Sequence, residues 1–95
     1  GEWINPAEIE ALVAALPQVS LAAVIGRLHP KWGERPVLVV QTRDGDVSDE
    51  TLLSPLRSRV APWWIPDAVI RLEAMPLAAT GKIDKSRLRA EYGRA

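Results

Sequence analysis

The sequence predicts an α+β domain, a small sheet of about three strands packed with three helices. Three observations predict it. A strong helix start stands at Asn5–Pro6, two β-branched apolar runs of strand length follow, and the elements then order as helix, strand, strand, helix, strand, helix. Ninety-five residues with 47% apolar content fit one domain, 1–95, with a single modest core.

In "NPAEIEALVAAL", Asn5 is placed to cap the helix, Pro6 takes the first helical position and Glu8 the capping-box position. Ile9, Leu12, Val13 and Leu16 then recur at i, i+3, i+4 and i+7, so a helix is expected over 6–16. "VSLAAVIGRL" and "RPVLVVQT" read as paired strands joined by the polar loop "HPKWGE".

"RDGD" at 43–46 is a turn, and Ser48, followed by Asp49 and Glu50, caps a second helix with Leu52, Leu53, Leu56 and Val60 as its apolar face. Pro55 interrupts that pattern: either it kinks the helix, or the helix starts late with Ser54 as its cap. "AVIRLE" reads as a third strand after "APWWIP", and Asp84 caps a last helix over 85–92.

Composition narrows the chemistry. Twelve acidic and twelve basic side chains cancel, so no net field draws nucleic acid or an anionic membrane. The chain has no cysteine, which excludes thiolate metal sites and cysteine nucleophiles, and its single histidine, His29, makes zinc binding improbable. No apolar run approaches the roughly 20 residues of a membrane span, and no signal-peptide pattern opens the chain, so a soluble cytoplasmic protein is expected. "GEWINPAEIE" starts on functional-looking residues without an initiator methionine, and a piece of a longer protein is expected.

Lys82 follows "ATG", with a backbone turn expected at Gly81 and a helix start at Asp84. Composition alone favours an ordinary solvated lysine, although a compact cation on a flexible stem also suits oxyanions that shift during a reaction. It is not a P-loop lysine, since Pro76 stands where GxxxxGK[ST] requires glycine and Ile83 where it requires a hydroxyl. Trp32, Trp63 and Trp64 fall in loops, where they either plug the core or offer an apolar, stacking surface to a partner domain or a flat ligand. His29, Lys31, Glu34 and Arg35 read as a solvated connection, and no serine or carboxylate is placed to make His29 a general base.

Taken in order and register, "GEWINPAEIE", "HPKWGERP", "WWIPD" and "PLAATGKIDK" resemble the C-terminal domain of the AMP-forming acyl-CoA synthetases. That superfamily also holds luciferases and peptide-synthetase adenylation domains. The match covers essentially the whole chain and is nearest to fatty-acyl-CoA ligases of the medium-chain-like branch. Peptide-synthetase domains share a similar "NGKIDR" ending but usually lack the tryptophan-bearing loop.

The resemblance implies a mobile lid over a large N-terminal AMP-binding domain absent from this chain. ATP, CoA and a fatty acid are the implied substrates, with Mg2+ expected in the full-length enzyme but not bound by this domain. Lys82 matches the catalytic lysine of the adenylation step. Gly1 and Glu2 would line the pantetheine tunnel after the lid rotates, Trp32 matches a position packing near CoA, and Trp63 falls near an adenine-stacking aromatic. Ile65 and Asp67 depart from the basic residues that related ligases often carry for the CoA phosphates, which leaves Lys31, Arg35 or the absent domain to supply them. The hinge residue lies outside the chain. Pro76 to Lys82 also satisfies a PxxxxGK pattern resembling the family's reversible lysine-acetylation site, which implies an acetyltransferase and a deacetylase as partners. Two alternatives stand beside the ligase reading: a stand-alone interaction module of the same fold, and the lid of another adenylate-forming enzyme such as a peptide-synthetase adenylation domain.

Overall fold

The computed structural model describes residues 4–43 and 47–93. Gly1 and Glu2, and most of the turn expected at 43–46, lie outside the described residues.

Helix α1 spans Pro6–Ala14, and the Asn5 side chain accepts from the N–H groups of Ala7 and Glu8 at its start. The expected helix over 6–16 is therefore two residues too long. It closes at Ala15, and Pro17 cannot continue it.

Strands β1 (Val19–His29) and β2 (Gly33–Thr42) form an antiparallel hairpin, with His29 opposite Gly33. The expected six-residue loop shrinks to Pro30, Lys31 and Trp32. Gly33 has φ +83°, which lets so short a connection turn back into the sheet, a conformation that costs other L-residues.

Helix α2 (Asp49–Leu53) starts on Ser48, whose side chain accepts from the Thr51 N–H. It passes into a 3-10 turn over Ser54–Leu56. Neither reading of Pro55 holds alone: α2 ends before it, and a tighter turn that tolerates proline carries the apolar face on to Leu56. A second 3-10 turn, Pro62–Trp64, occupies the expected loop. Strand β3 is Ala68–Arg71, shorter than the expected run to Glu73, and it pairs in parallel with β2. Helix α3, Lys85–Tyr92, coincides with its expected span, and Asp84 caps it by accepting from the Arg87 N–H.

The sheet order β1-β2-β3 leaves β2 central, and its alternation divides the core. Leu38 and Val40, with Val24 and Ala22, face Ile9 and Val13 of α1 and Leu52 and Leu56 beyond. Val37 and Val39, with Ala23 and Ile25, face Met75 and Leu88, with Ile83 and Tyr92 packed around them. The sheet is thus covered on both sides, and α3 with the segment before it forms the second cover. Leu88 is fully buried, and truncating such a leucine to alanine costs about 2–5 kcal/mol.

Candidate functional site

The segment carrying Lys82 leaves β3 as an ordered loop. The Met75 N–H donates to Gln41 Oε1 at 2.7 Å, Leu77 and Ile83 form an antiparallel bridge, and the Asp84 N–H donates to the Pro76 carbonyl at 2.9 Å. Inside this frame Ala78 N–H donates to the Lys82 carbonyl at 2.7 Å and Gly81 N–H to the Ala78 carbonyl at 2.9 Å. Gly81 supplies the left-handed backbone, φ +88°, that closes the turn. Lys82 is exposed, and among the described residues it forms no ion pair. Ile83, its neighbour, is packed against the second core, so the lysine stands on a fixed base.

A second feature sits at the hairpin turn. His29 Nδ1 accepts from the N–H groups of Lys31 and Trp32, at 3.0 and 3.2 Å, so the ring caps the turn rather than serving as a base. Lys31 Nζ lies over the Trp32 ring, 5.2 Å from its centroid. Trp32 is 65% exposed and Trp63 48% exposed, whereas Trp64 packs against the first core. Trp64 thus plugs the core as one of the two readings has it, whereas Trp32 and Trp63 do not.

Arg35 explains why Trp63 stands out. Its Nε and one terminal nitrogen bind the Asp67 carboxylate at 3.0–3.2 Å, the other donates to the Trp63 carbonyl at 2.8 Å, and the Ile65 carbonyl accepts at 3.3 Å. With these donors engaged, Arg35 holds the "WWIPD" segment in shape. Arg35 also lines the cleft described below, and Lys31 is exposed and not in an ion pair among the described residues.

Residues 63–67 lie beside the start of β2, where Asp67 N–H donates to the Pro36 carbonyl, and Met75, ahead of the Lys82 loop, is held through its N–H by Gln41 near the other end of that strand. A cleft of about 590 Å3 connects the hairpin to α3, lined by Trp32, Gly26, Glu34, Lys85 and Arg89 among others. That volume is of the size that small-molecule sites occupy. Sequence reasoning missed Lys85 and Arg89. Their i, i+4 spacing on α3 was the available signal, since it puts both on one helix face.

Among the described residues no three His, Asp or Glu side chains gather as a metal site, and no helix is long and apolar enough to cross a membrane.

The family model for the AMP-binding enzyme C-terminal domain matches residues 8–82. The chain is 46% identical over 93 residues to 3-methylmercaptopropionyl-CoA ligase of Ruegeria pomeroyi, covering 97% of this chain and 17% of that protein. It is 43% identical over 94 residues to medium-chain-fatty-acid–CoA ligase of Ectopseudomonas oleovorans, covering 98% of this chain and 17% of that protein. Among solved structures, a Mycobacterium tuberculosis fatty acyl CoA synthetase superposes with a TM-score of 0.88 at 40% identity, covering 98% of this chain and 18% of that one. The chain spans less than a fifth of the length of each of these relatives.

Proposed function

Because the chain belongs to the AMP-binding enzyme C-terminal domain family, we propose that it is the lid of an ATP-dependent, AMP-forming acyl-CoA ligase. Its large N-terminal AMP-binding domain is then its principal partner and holds most of the ATP and acid sites, together with the expected Mg2+. The first step joins a carboxylate oxygen to the α-phosphorus of ATP and releases pyrophosphate. In the second, the CoA thiol attacks the acyl carbon, loses its proton, and displaces AMP.

Lys82 serves the first step. Two anions must meet there, and a cation held between them offsets a repulsion that grows toward the transition state. The observation that carries this reading is the ordered loop that presents Lys82 exposed and outside any ion pair among the described residues. A charge already neutralised inside the domain would have little left to offer an incoming polyphosphate.

The tryptophan end serves the second step. Trp32 and Trp63 supply apolar and stacking surface toward CoA, and Gly1 and Glu2 line the pantetheine arm. Together the two roles require a lid that turns one face to ATP and another to CoA. Likeness to a medium-chain-fatty-acid–CoA ligase supports a fatty acid as the acyl donor, although the acyl pocket belongs to the other domain. Pyrophosphate release by the full-length protein, measured across acids of different chain length, tests the reading: release with fatty acids sustains it, and none with any acid defeats it.

Lys82 in its PxxxxGK setting is also the proposed target of an acetyltransferase and a deacetylase, since acetylation removes the charge that adenylation needs. Mass spectrometry of the full-length enzyme after incubation with acetyl-CoA and an acetyltransferase tests this. An unmodified Lys82 sinks it.

A further inference from the structure

Glu10 joins three elements through one oxygen. On α1, its Oε2 accepts from the Val24 N–H of β1 at 2.8 Å and lies 2.5 Å from Lys85 Nζ at the start of α3. The Glu10 and Lys85 side chains are 20% and 34% exposed. β1 is an edge strand, and the even-numbered residue Val24 turns its N–H away from β2, because Pro36 opposite Gly26 can accept no place in a hydrogen-bonded pair. The carboxylate meets that otherwise unpaired donor and a cation together, and charge-assisted contacts of this kind are the stronger ones.

Lys85 stands three residues after Lys82, and its own N–H donates to the Ile83 carbonyl at 3.1 Å. The Lys82 turn is internally closed by the Ala78–Lys82 and Ala78–Gly81 hydrogen bonds, and the Asp84 N–H bond to the Pro76 carbonyl ties the base of the loop to the cap of α3. Among the described residues, Glu10–Lys85 is the one polar tie between α1 and α3. On the lid reading the large domain joins ahead of α1, so the Glu10–Lys85 tie links the element nearest that junction to the first turn of α3, three residues from Lys82.

We propose that Glu10 and Lys85 are positioning residues for the adenylation half-reaction, fixing where the Lys82 ammonium stands relative to the domain linker. The proposal rests on the reading of Lys82 given above. Neither residue touches substrate; each acts through the Lys82 loop. A shift of about 1 Å remote from the chemistry can cost up to about 10²-fold in rate, so losing the tie should lower adenylation by roughly 10- to 10²-fold.

The test uses the full-length enzyme with Lys85→Met, Lys85→Arg, Glu10→Gln and Lys82→Ala. Pyrophosphate release and thioester formation from supplied acyl-adenylate are measured separately, with thermal melting as the check on folding. Lys85→Met retains the Glu10–Val24 bond and is expected to fold. The expected result is a fall in the rate of pyrophosphate release for Lys85→Met and Glu10→Gln, unchanged thioester formation, and recovery of release in Lys85→Arg, which keeps the ion pair. If Lys82→Ala stops release while Lys85→Met leaves it intact, the positioning proposal alone is overturned. If Lys82→Ala itself leaves release intact, the reading of Lys82 fails and the proposal falls with it. Equal loss of both half-reactions in Lys85→Met overturns it too, because the tie would then hold the fold rather than one face.

Discussion

Arg35 grips Asp67, thirty-two residues along the chain, through a forked contact with a nearest approach of 3.0 Å, and the same guanidinium holds the carbonyls of Trp63 and Ile65. The Arg35 side chain is 18% exposed and that of Asp67 48%, so the ion pair is partly screened, and of the carbonyl contacts only that to Ile65 is part-buried. Arg35→Ala is expected to destabilise the chain by about 1–3 kcal/mol, measured by denaturant unfolding. Arg35→Lys should restore little of it, because an ammonium lacks the planar fork. Unchanged unfolding and unchanged tryptophan emission in Arg35→Ala would show that the clamp does not shape the Trp63 segment.

Gly81 makes a second prediction, and a cleaner one. A Cβ built there meets nothing within 4 Å, yet φ is +88°. Gly81→Ala therefore carries a backbone cost alone, about 1–2 kcal/mol, seen as a lower unfolding free energy. Gly81→Asn should lose less, since asparagine tolerates left-handed backbone. In the full-length enzyme both variants should slow adenylation more than thioester formation. An Ala variant as stable as the parent would refute the turn described for this loop.

Elements specified by neighbouring residues were legible in the sequence. Asn5 with Pro6, Ser48 and Asp84 mark the starts of three helices by local chemistry, and the structure has all three caps. What depends on distant residues was not legible. The parallel pairing of β2 with β3 follows from a crossover between Thr42 and Ala68, and no local pattern encodes it. Arg35 reads as a solvated loop cation until Asp67 is brought beside it, and no local pattern pairs Glu10 with Lys85, seventy-five residues on. Lys82 was found by its setting within a family motif, and its exposure follows from hydrogen bonds that the letters "ATGK" do not show.

Glu50 and Arg57 give a prediction for pH. The Arg57 guanidinium, through hydrogen bonds at 2.9–3.0 Å and its charge, holds the Glu50 carboxyl below the ordinary carboxylate value, and Glu50 raises Arg57 in turn. A carboxyl depressed in the folded state adds stability above its unfolded pKa and loses it as pH falls through the folded one. The parent should thus melt slightly above Glu50→Gln at neutral pH, with the gap closing in acid and shrinking in high salt, since both groups are exposed. A gap that persists in acid would mean that the pair is not its source.

The central claim is that Lys82 serves one of two half-reactions. The most direct measurement is Lys82→Ala in the full-length enzyme, with adenylate formation followed by pyrophosphate release and thioester formation started from supplied acyl-adenylate. Loss of one preorganised electrostatic contact should slow the first by about 10²- to 10³-fold and largely spare the second. Equal loss in both half-reactions would contradict the account.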